Sequence, residues 1–375
     1  MKKLLFISNI TNSITNFVLP SYYACEKMGI EFHLASNLNN FDYENNPYKD
    51  IVLHNIKCNR NPLSFDNIYS YKELNRIIKE NQIDYIHCNT PIGGVLGRLC
   101  ASKNKLEKVI YTAHGFHFYK GAPLLNNIVY KNIEYALAHK TDAIITINNE
   151  DFLLKLPHYS MKNPISIINS SFTSNGVGID VNSFFNVSYD KNTLKKTLCL
   201  SDDDYICIGI GRIESNKNFE ETIESIYKTN DKRIKLLICG DGPLKRKCEK
   251  IVKKRNLEKN ILFLGYRNDI PKLLKISNCY ISLSKREGLP RSLMEAMAAG
   301  LPCIVSDIRG NNDLIKNGIN GFLVNDSNEC AEKINQLIHD ESMSRKMQIN
   351  NIRLIKNYDV EKVKKQIEEI YKKEL

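Results

Sequence analysis

Apolar residues along the first half of the chain come in short runs, separated by longer stretches in which they recur at helical spacing. The runs at 3–8, 31–35, 85–88, 109–113 and 143–147 read as strands, and the stretches at 69–80, 93–102 and 124–139 as helices. The second half repeats the rhythm. Strands are expected at 205–211, 235–240, 261–265, 279–284 and 302–306, with helices beginning near Asn218, Pro243, Asp269, Pro290 and Asn311. Such alternation implies parallel sheets covered on both faces, and two successive sets imply an α/β chain of two Rossmann-like domains. The break falls around 168–191, where 169–178 is polar, contains glycine and carries no period. Residues 360–375 read as one charged amphipathic helix.

The length agrees, since 375 residues suffice for two ordinary domains. Hydrophobic residues make up 42% and charged ones 25%, the balance of a soluble globular chain and not of a disordered one. No apolar run approaches the roughly 20 residues of a membrane span. The start is apolar only from Leu4 to Ile7 before Ser8, Asn9, Thr11, Asn12 and Ser13 interrupt it, so it reads as a first strand and not as a secretory leader. The eleven cysteines form no Cys-x-x-Cys pair and no His grouping at zinc spacing. Cys88, Cys207, Cys239, Cys279 and Cys303 fall in strand-like runs, as buried thiols in a reducing cytoplasm would. The formal charge of +11 could serve an anionic membrane surface, a phosphorylated substrate or nucleic acid. Much of it sits in helical runs such as Lys245-Arg246-Lys247 and Lys253-Lys254-Arg255, where solvated helix faces account for it, and nothing else favours nucleic acid.

In open parallel sheets, ligands bind beyond the carboxyl ends of the strands, and the chemically informative residues fall there. Glu287 and Glu295 are eight positions apart, across Gly288, Leu289 and Pro290. Pro is pre-set for a first helical turn, so Glu287 would lie in the loop at a helix mouth and Glu295 inside the helix. At about 1.5 Å rise per residue the two carboxylates are on the order of 10 Å apart. That is too wide for a shared metal or proton. It suits two hydroxyl-rich parts of one long ligand, with phosphate at the positive helix end between them, as in a nucleotide sugar. Arg212 and Lys217, around the loop after the strand at 205–211, could clamp a diphosphate. Gly240-Asp241-Gly242-Pro243 ends the next strand, as a close backbone approach or as a tight turn. Tyr266 and Arg267, ending the third, could border a nucleobase. Asp202-Asp203-Asp204 contains the metal-binding pattern Asp-x-Asp, but it precedes its strand, at the wrong end for the site, and reads as a loop.

Taken in order, Gly211-Arg212, Lys217-Asn218, Gly240-Asp241-Gly242-Pro243, Phe263-Leu264-Gly265-Tyr266, Glu287-Gly288-Leu289-Pro290 and Glu295-Ala296-Met297-Ala298-Ala299-Gly300-Leu301-Pro302 resemble the donor domain of retaining glycosyltransferases of family 4. In the first half, Thr112-Ala113-His114-Gly115-Phe116-His117-Phe118 and Ser13-Ile14-Thr15-Asn16-Phe17-Val18-Leu19-Pro20 resemble bacterial capsule and exopolysaccharide enzymes of the same kind. The resemblance implies the glycosyltransferase-B fold: an acceptor domain over 1–180, a donor domain over 181–355, an active site in the cleft between them, and a helix over 356–375 that packs back on the first domain. It also implies roles. Arg212 and Lys217 would bind the donor diphosphate and stabilise the departing nucleotide. Glu287 would hold sugar hydroxyls beside the amides of Gly288 and Leu289, and Glu295 would accept from ribose hydroxyls. His114 would contact the transferred sugar, whereas His117 is as readily structural. Two departures stand out. Relatives carry a Gly-rich loop after the first strand, and this chain has Asn9-Ile10-Thr11-Asn12-Ser13, so side-chain hydrogen bonds would replace backbone approach there. The linker at 174–180 lacks the proline that relatives often have.

Transfer of this kind needs leaving-group stabilisation more than a strong base. Arg212, Lys217 and the helix start near Pro290 could supply it without metal or cofactor. The expectation is a cytoplasmic, metal-independent, retaining transferase. It would move a hexose or N-acetylhexosamine from a nucleotide sugar, UDP-linked, to a lipid-linked saccharide at the inner membrane face, for capsule, exopolysaccharide or a similar glycan. The stretch Tyr119-Lys120-Gly121-Ala122-Pro123-Leu124-Leu125, with Val129, Tyr130 and Lys131, mixes apolar, aromatic and basic residues. It would either touch membrane headgroups or a lipid phosphate, or form a helix that packs its apolar face on the sheet. Two rivals share the architecture. A non-hydrolysing UDP-sugar epimerase would need acid/base carboxylates for proton abstraction. A non-catalytic nucleotide-sugar-binding subunit could keep Arg212 and Lys217 without an intact His114 loop.

Overall fold

The computed structural model describes residues 1–119, 121–154, 172–173, 176–185 and 187–375. The chain divides into two units, Met1–Gly178 with Val360–Leu375, and Ile179–Asp359. Lys120, Ser174 and Asn175, part of the stretches singled out in the sequence, lie outside the described residues, as do 168–171 and 186 of the expected linker.

In the first unit the strands are β1 (Lys3–Ile10), β2 (Glu31–Asn37), β3 (Val52–Asn55), β4 (Tyr85–Asn89), β5 (Lys108–Ala113), β6 (Ala143–Thr146) and β7 (Phe172–Thr173). Among the described residues they form one parallel sheet in the order β3-β2-β1-β4-β5-β6-β7. The run Leu4-Leu5-Phe6-Ile7 is continuously apolar because both faces are covered. Leu5 and Ile7 pack with Leu74, Ile77 and Leu96 from the helices Asp66–Glu80 and Pro91–Asn104. Leu4 and Phe6 pack with Tyr22 and Cys25 on one side chain layer and with Val363, Ile367, Ile370 and Tyr371 from the helix Val360–Glu374. The charged tail thus completes the first unit's sheet.

The second unit repeats the plan with β8 (Tyr205–Ile210), β9 (Ile234–Cys239), β10 (Ile261–Gly265), β11 (Cys279–Ser282), β12 (Cys303–Ser306) and β13 (Gly321–Val324). They form a parallel sheet in the order β10-β9-β8-β11-β12-β13. In each sheet the order reverses at one place, between β1 and β4 and between β8 and β11. Open sheets part their loops at such a switch point and leave a crevice at the strands' carboxyl ends.

Helices begin at Phe219, Lys245, Ile270, Arg291 and Asn311, each at or within two residues of the expected starts. The basic runs of the helix Lys245–Lys254 and its end are surface residues, with Lys247 paired to Glu220 at 2.7 Å and Arg255 to Glu224 at 2.9 Å. The cysteines expected in strands are buried and free. Three edge strands, β3, β7 and β13, were not legible as runs: Val-Leu-His-Asn is half polar, Phe-Thr is two residues long within the expected linker, and Gly-Phe-Leu-Val is short and opens on glycine.

The helix Leu124–Ala138 corrects one expectation. It does not lay its apolar face on the sheet. Leu124, Leu125, Ile128, Val129 and Ile133 are exposed, Leu124 by 76%, and only Glu134, Leu137 and Ala138 are buried. Its carboxyl-terminal end is what docks. The fully buried Arg98 forks onto Glu134 at 2.8 and 3.2 Å and lies 4.0 Å over the Tyr111 ring. A pair taken this far from water is costly to break, because either partner alone would be a buried charge.

Candidate active site

The second unit's site grows from three strand ends. After β8 the chain turns at Gly211, whose N–H donates to Cys239 (3.0 Å), while the Gly240 N–H donates to Gly265 (2.7 Å). Gly240 has φ +145°, and a Cβ there would stand 2.0 Å from the Gly211 carbonyl oxygen. Backbone lies directly on backbone, which only glycine permits. The Gly240-Asp241-Gly242-Pro243 turn is therefore a close approach.

The loop after β8 is stitched to the loop after β11. The Asn216 side-chain amide donates to the Arg286 carbonyl at 2.9 Å, and Lys285 N–H donates to the Asn216 carbonyl at 2.8 Å. Asn218, in the left-handed region at φ +51°, donates to the Leu283 carbonyl at 3.2 Å. Lys217 runs its stem over Gly211 and places Nζ 2.6 Å from Glu287 Oε1. Both groups are mostly buried, so the pair holds the lysine and the carboxylate at one place beside the strand ends. From the other side, Arg309 Nε reaches the Glu287 carbonyl at 3.3 Å, and Gly310 fits its backbone against Gly288. Pro290 caps the helix Arg291–Ala298, one residue earlier than expected of its first turn.

At this mouth the amides of Gly288 and Leu289 have no acceptor among the described residues. With Lys217 beside them and the positive helix end behind, they form a cradle for an anion. Glu295 lies one turn into the helix, 2.9 Å from Arg291, and burial raises its carboxyl above the usual range. Arg212 is exposed and pairs with Glu214 at 3.2 Å. Tyr266 is exposed, and Arg267 is held by a two-point fork on Asp269 (2.8 and 2.7 Å), the cap of the next helix. Tyr266 and Arg267 line an open cavity of about 500 Å³ with Ser183, Asp269 and Lys272. Asp202 and Asp204 sit ahead of β8 and pair with Lys195 (3.0 Å) and Lys235 (3.7 Å). Among the described residues no His, Cys, Asp and Glu group could hold a metal ion.

In the first unit, His114 follows β5. Its Nε2 lies 3.2 Å from Asn89 Oδ1, and its ring packs 5.0 Å from that of Phe17. Burial of most of the ring pushes its pKa down to about 4, so the imidazole is neutral near pH 7. The other end of the Asn89 amide, Nδ2, is buried with no partner among the described residues. Behind it, His87 bridges Thr112 (2.7 Å) and Tyr371 of the last helix (2.6 Å), and burial holds it neutral with a pKa of about 3. His117 stands apart, its ring 4.9 Å from Tyr130.

The loop after β1 does use side chains. Asn9 Oδ1 accepts from Thr90 Oγ1 (2.7 Å) and from Gly93 N–H (2.9 Å), capping the helix Pro91–Asn104 across the switch point. Thr90 itself sits at φ +66°, ψ 159°, a strained position for a β-branched residue. Asn216, Arg309, Asn89 and Thr90 escaped the sequence reading. Arg309 had a signal, since Arg309-Gly310 follows the fifth strand of its half as Gly211-Arg212 follows the first.

Residues 190–354 match the family model described as Glycosyl transferases group 1, and residues 3–148 that described as Glycosyl transferase 4-like. The chain is 33% identical over 353 residues to EpsD of Bacillus subtilis, covering 92% of this chain and 90% of that one. It is 30% identical over 360 residues to the UDP-Gal:α-D-GlcNAc-diphosphoundecaprenol α-1,3-galactosyltransferase of Escherichia coli, covering 91% of each. The crystal structure of Anabaena HepE in complex with UDP and glucose superposes over the whole of both chains with a TM-score of 0.79 at 17% identity, a likeness of fold. The architecture is that of the glycosyltransferase-B fold. By its length-wide likeness to these relatives, the chain belongs to the glycosyltransferases of the glycosyltransferase-B fold.

Proposed function

We propose that this glycosyltransferase moves a hexose or N-acetylhexosamine from a UDP-sugar to a lipid-linked saccharide, with retention and without a metal ion, in the making of a capsule, exopolysaccharide or similar glycan. The observation that carries the reading is the loop at the mouth of the helix Arg291–Ala298: Lys217 Nζ is held 2.6 Å from Glu287, and the next two amides, of Gly288 and Leu289, have no acceptor among the described residues. A diphosphate fits that chemistry, and uridine and the lipid-linked acceptor are favoured by the activity named for the E. coli relative.

In this mechanism the bond from the anomeric carbon to the diphosphate oxygen breaks as the acceptor oxygen bonds to the same face. The acceptor's proton passes to the departing phosphate. Lys217, Arg212 and the helix end stabilise the charge that grows on that phosphate. Glu287 holds sugar hydroxyls, and Glu295, its carboxyl on a helix wall, takes the ribose. His114, neutral near pH 7, offers the transferred sugar a hydrogen bond without adding charge. The acceptor is met at a membrane surface, although no helix among the described residues is long and apolar enough to cross one.

The test is incubation of the purified chain with UDP-, GDP- and dTDP-sugars, a bacterial lipid extract and EDTA, with labelled glycolipid and free nucleotide followed by mass spectrometry. Transfer from a UDP-sugar with the anomeric configuration kept is expected. Epimerised donor without acceptor would favour an epimerase, transfer restored only by Mn²⁺ would end the metal-free reading, and absence of nucleotide binding would end the whole of it.

A further inference from the structure

His114 is tied down at one ring nitrogen and open at the other. Nε2 lies 3.2 Å from Asn89 Oδ1, whereas Nδ1 makes no hydrogen bond among the described residues. A carbonyl oxygen can only accept, so the proton of the neutral ring sits on Nε2 and Nδ1 carries a bare lone pair. The Phe17 ring, 5.0 Å away and tilted by 31°, packs on the imidazole and opposes its turning.

Asn89 is held in its own right. It ends β4 and is 3% exposed. With Ser21, His87 and Thr112 it lines a void of about 20 Å³, room for a single water. A water there would join the Ser21 and Thr112 hydroxyls to the Asn89 Nδ2 hydrogens, which meet no acceptor among the described residues. Two residues earlier on β4, His87 is gripped by Thr112 of β5 at 2.7 Å and by Tyr371 of the last helix at 2.6 Å. The strand end that carries Asn89 is therefore fixed before any ligand arrives.

Charge explains why an amide stands at this place. The void is lined by β1, β4, β5, the segment 16–21, residues 176–177 and the helix Val360–Glu374, and of the residues they contribute only His87 and His114 titrate. Burial keeps both neutral near pH 7, and it holds Tyr371, which faces His87, as a phenol. No carboxylate bonds the His114 ring among the described residues. A carboxylate in place of the Asn89 amide would favour the imidazolium. A sugar parting from its diphosphate gains positive charge. A cation beside it would raise that barrier, and a lone pair would lower it.

We infer that Asn89 is a positioning residue: its carboxamide fixes the His114 proton on Nε2 and so presents the bare Nδ1 to the sugar being transferred. The inference rests on the contact between His114 and the sugar proposed above. It adds which ring nitrogen makes that contact, in which sense, and what sets it.

NMR of the ligand-free chain, labelled with nitrogen-15 in histidine, reads the ring directly, with the His114 signals identified by their loss in His114→Gln. The wild type is expected to carry its proton on Nε2 and to stay neutral down to about pH 5. In Asn89→Asp the ring should titrate near or above its ordinary value of about 6.5. A proton on Nδ1 in the wild type, or an unchanged titration in the variant, overturns the inference. Transfer supplies the second readout. Between about pH 8.5 and 6, kcat/KM of Asn89→Asp should fall about tenfold further than that of the wild type, in kcat more than in KM, because the growing imidazolium opposes the transition state more than the bound donor. Parallel pH profiles, however low the variant's activity, would make Asn89 a structural residue alone and overturn its role. If the NMR results hold while no sugar is transferred from any donor, the transferase reading fails and the setting of His114 by Asn89 stands.

Discussion

At the β8/β11 end of the second unit, backbone rests on backbone. Gly240 lies against Gly211, Gly310 against Gly288, and the Lys217–Glu287 pair is held between two loops that share hydrogen bonds through Asn216 and Asn218. At the matching β1/β4 end of the first unit, the same strand geometry is finished with side chains. Asn9 caps a helix, Thr90 sits strained, His114 and Asn89 share one hydrogen bond, and the Phe17 ring packs on that of His114. A ligand whose chemistry never varies, such as a nucleoside diphosphate, can be met by fixed main-chain groups. One that differs from enzyme to enzyme is better met by side chains, which can change without disturbing the fold.

Acid should separate the two units most. In the first, burial lowers the pKa of His33, brings those of His54 and His114 down to about 4 and brings that of His87 down to about 3. The second unit contains only the exposed His339. A histidine kept neutral in the fold contributes stability that is intact above its ordinary value near 6.5 and is lost as pH falls through that window, because the unfolded chain takes up the proton. The first unit should lose on the order of several kcal/mol between about pH 6.5 and 4. Hydrogen exchange followed by mass spectrometry should show its amides opening before those of Ile179–Asp359. Simultaneous opening would mean that the histidines do not set the difference.

Next in size is Lys217→Ala. Loss of a group that stabilises the leaving charge should lower kcat/KM by about 10²–10³-fold, near 3 kcal/mol. A variant with wild-type kcat/KM would leave the ion pair with Glu287 a structural tie alone. Gly240→Ala should cost roughly 2 to 3 kcal/mol in urea unfolding, since its methyl would meet the Gly211 carbonyl. The first unit's counterpart, Asn9→Ala, should cost about 1 kcal/mol, the value of a helix cap. Similar losses for the two would erase the contrast between main-chain and side-chain construction. Smallest is Glu295→Ala, expected to weaken UDP binding by about tenfold in calorimetry, as one lost charge-assisted contact does. Unchanged binding would remove the ribose from that residue.

What could be read in the sequence follows this division. Glycines forced by close approach recur at fixed strand ends, so Gly211, Gly240 and the Gly288–Pro290 turn pointed to the second unit's site, and the helix from Arg291 lay one residue from its expected start. The strand alternation gave both sheets apart from the polar or very short edges, β3, β7 and β13. The first unit's site left fewer marks. Asn9 and Thr90 meet across about eighty intervening residues, Thr90's strain has no residue-type signature, and nothing in the spacing of Leu124, Leu125, Ile128 and Val129 says whether a stripe faces a core or a solvent. Only the buried Arg98–Glu134 pair, which pulls one end of that helix inward, decides it.

The helix Val360–Glu374 closes the Leu4 and Phe6 face of a sheet whose first strand is made at the other end of the chain. On a ribosome, therefore, the half that emerges first is the half that must wait. Residues 179–359 form a continuous unit and can fold as they appear, while the first sheet keeps one greasy face open until residues 360–374 have emerged. A stop before Val360 would leave a finished second unit attached to a first unit whose sheet never closes.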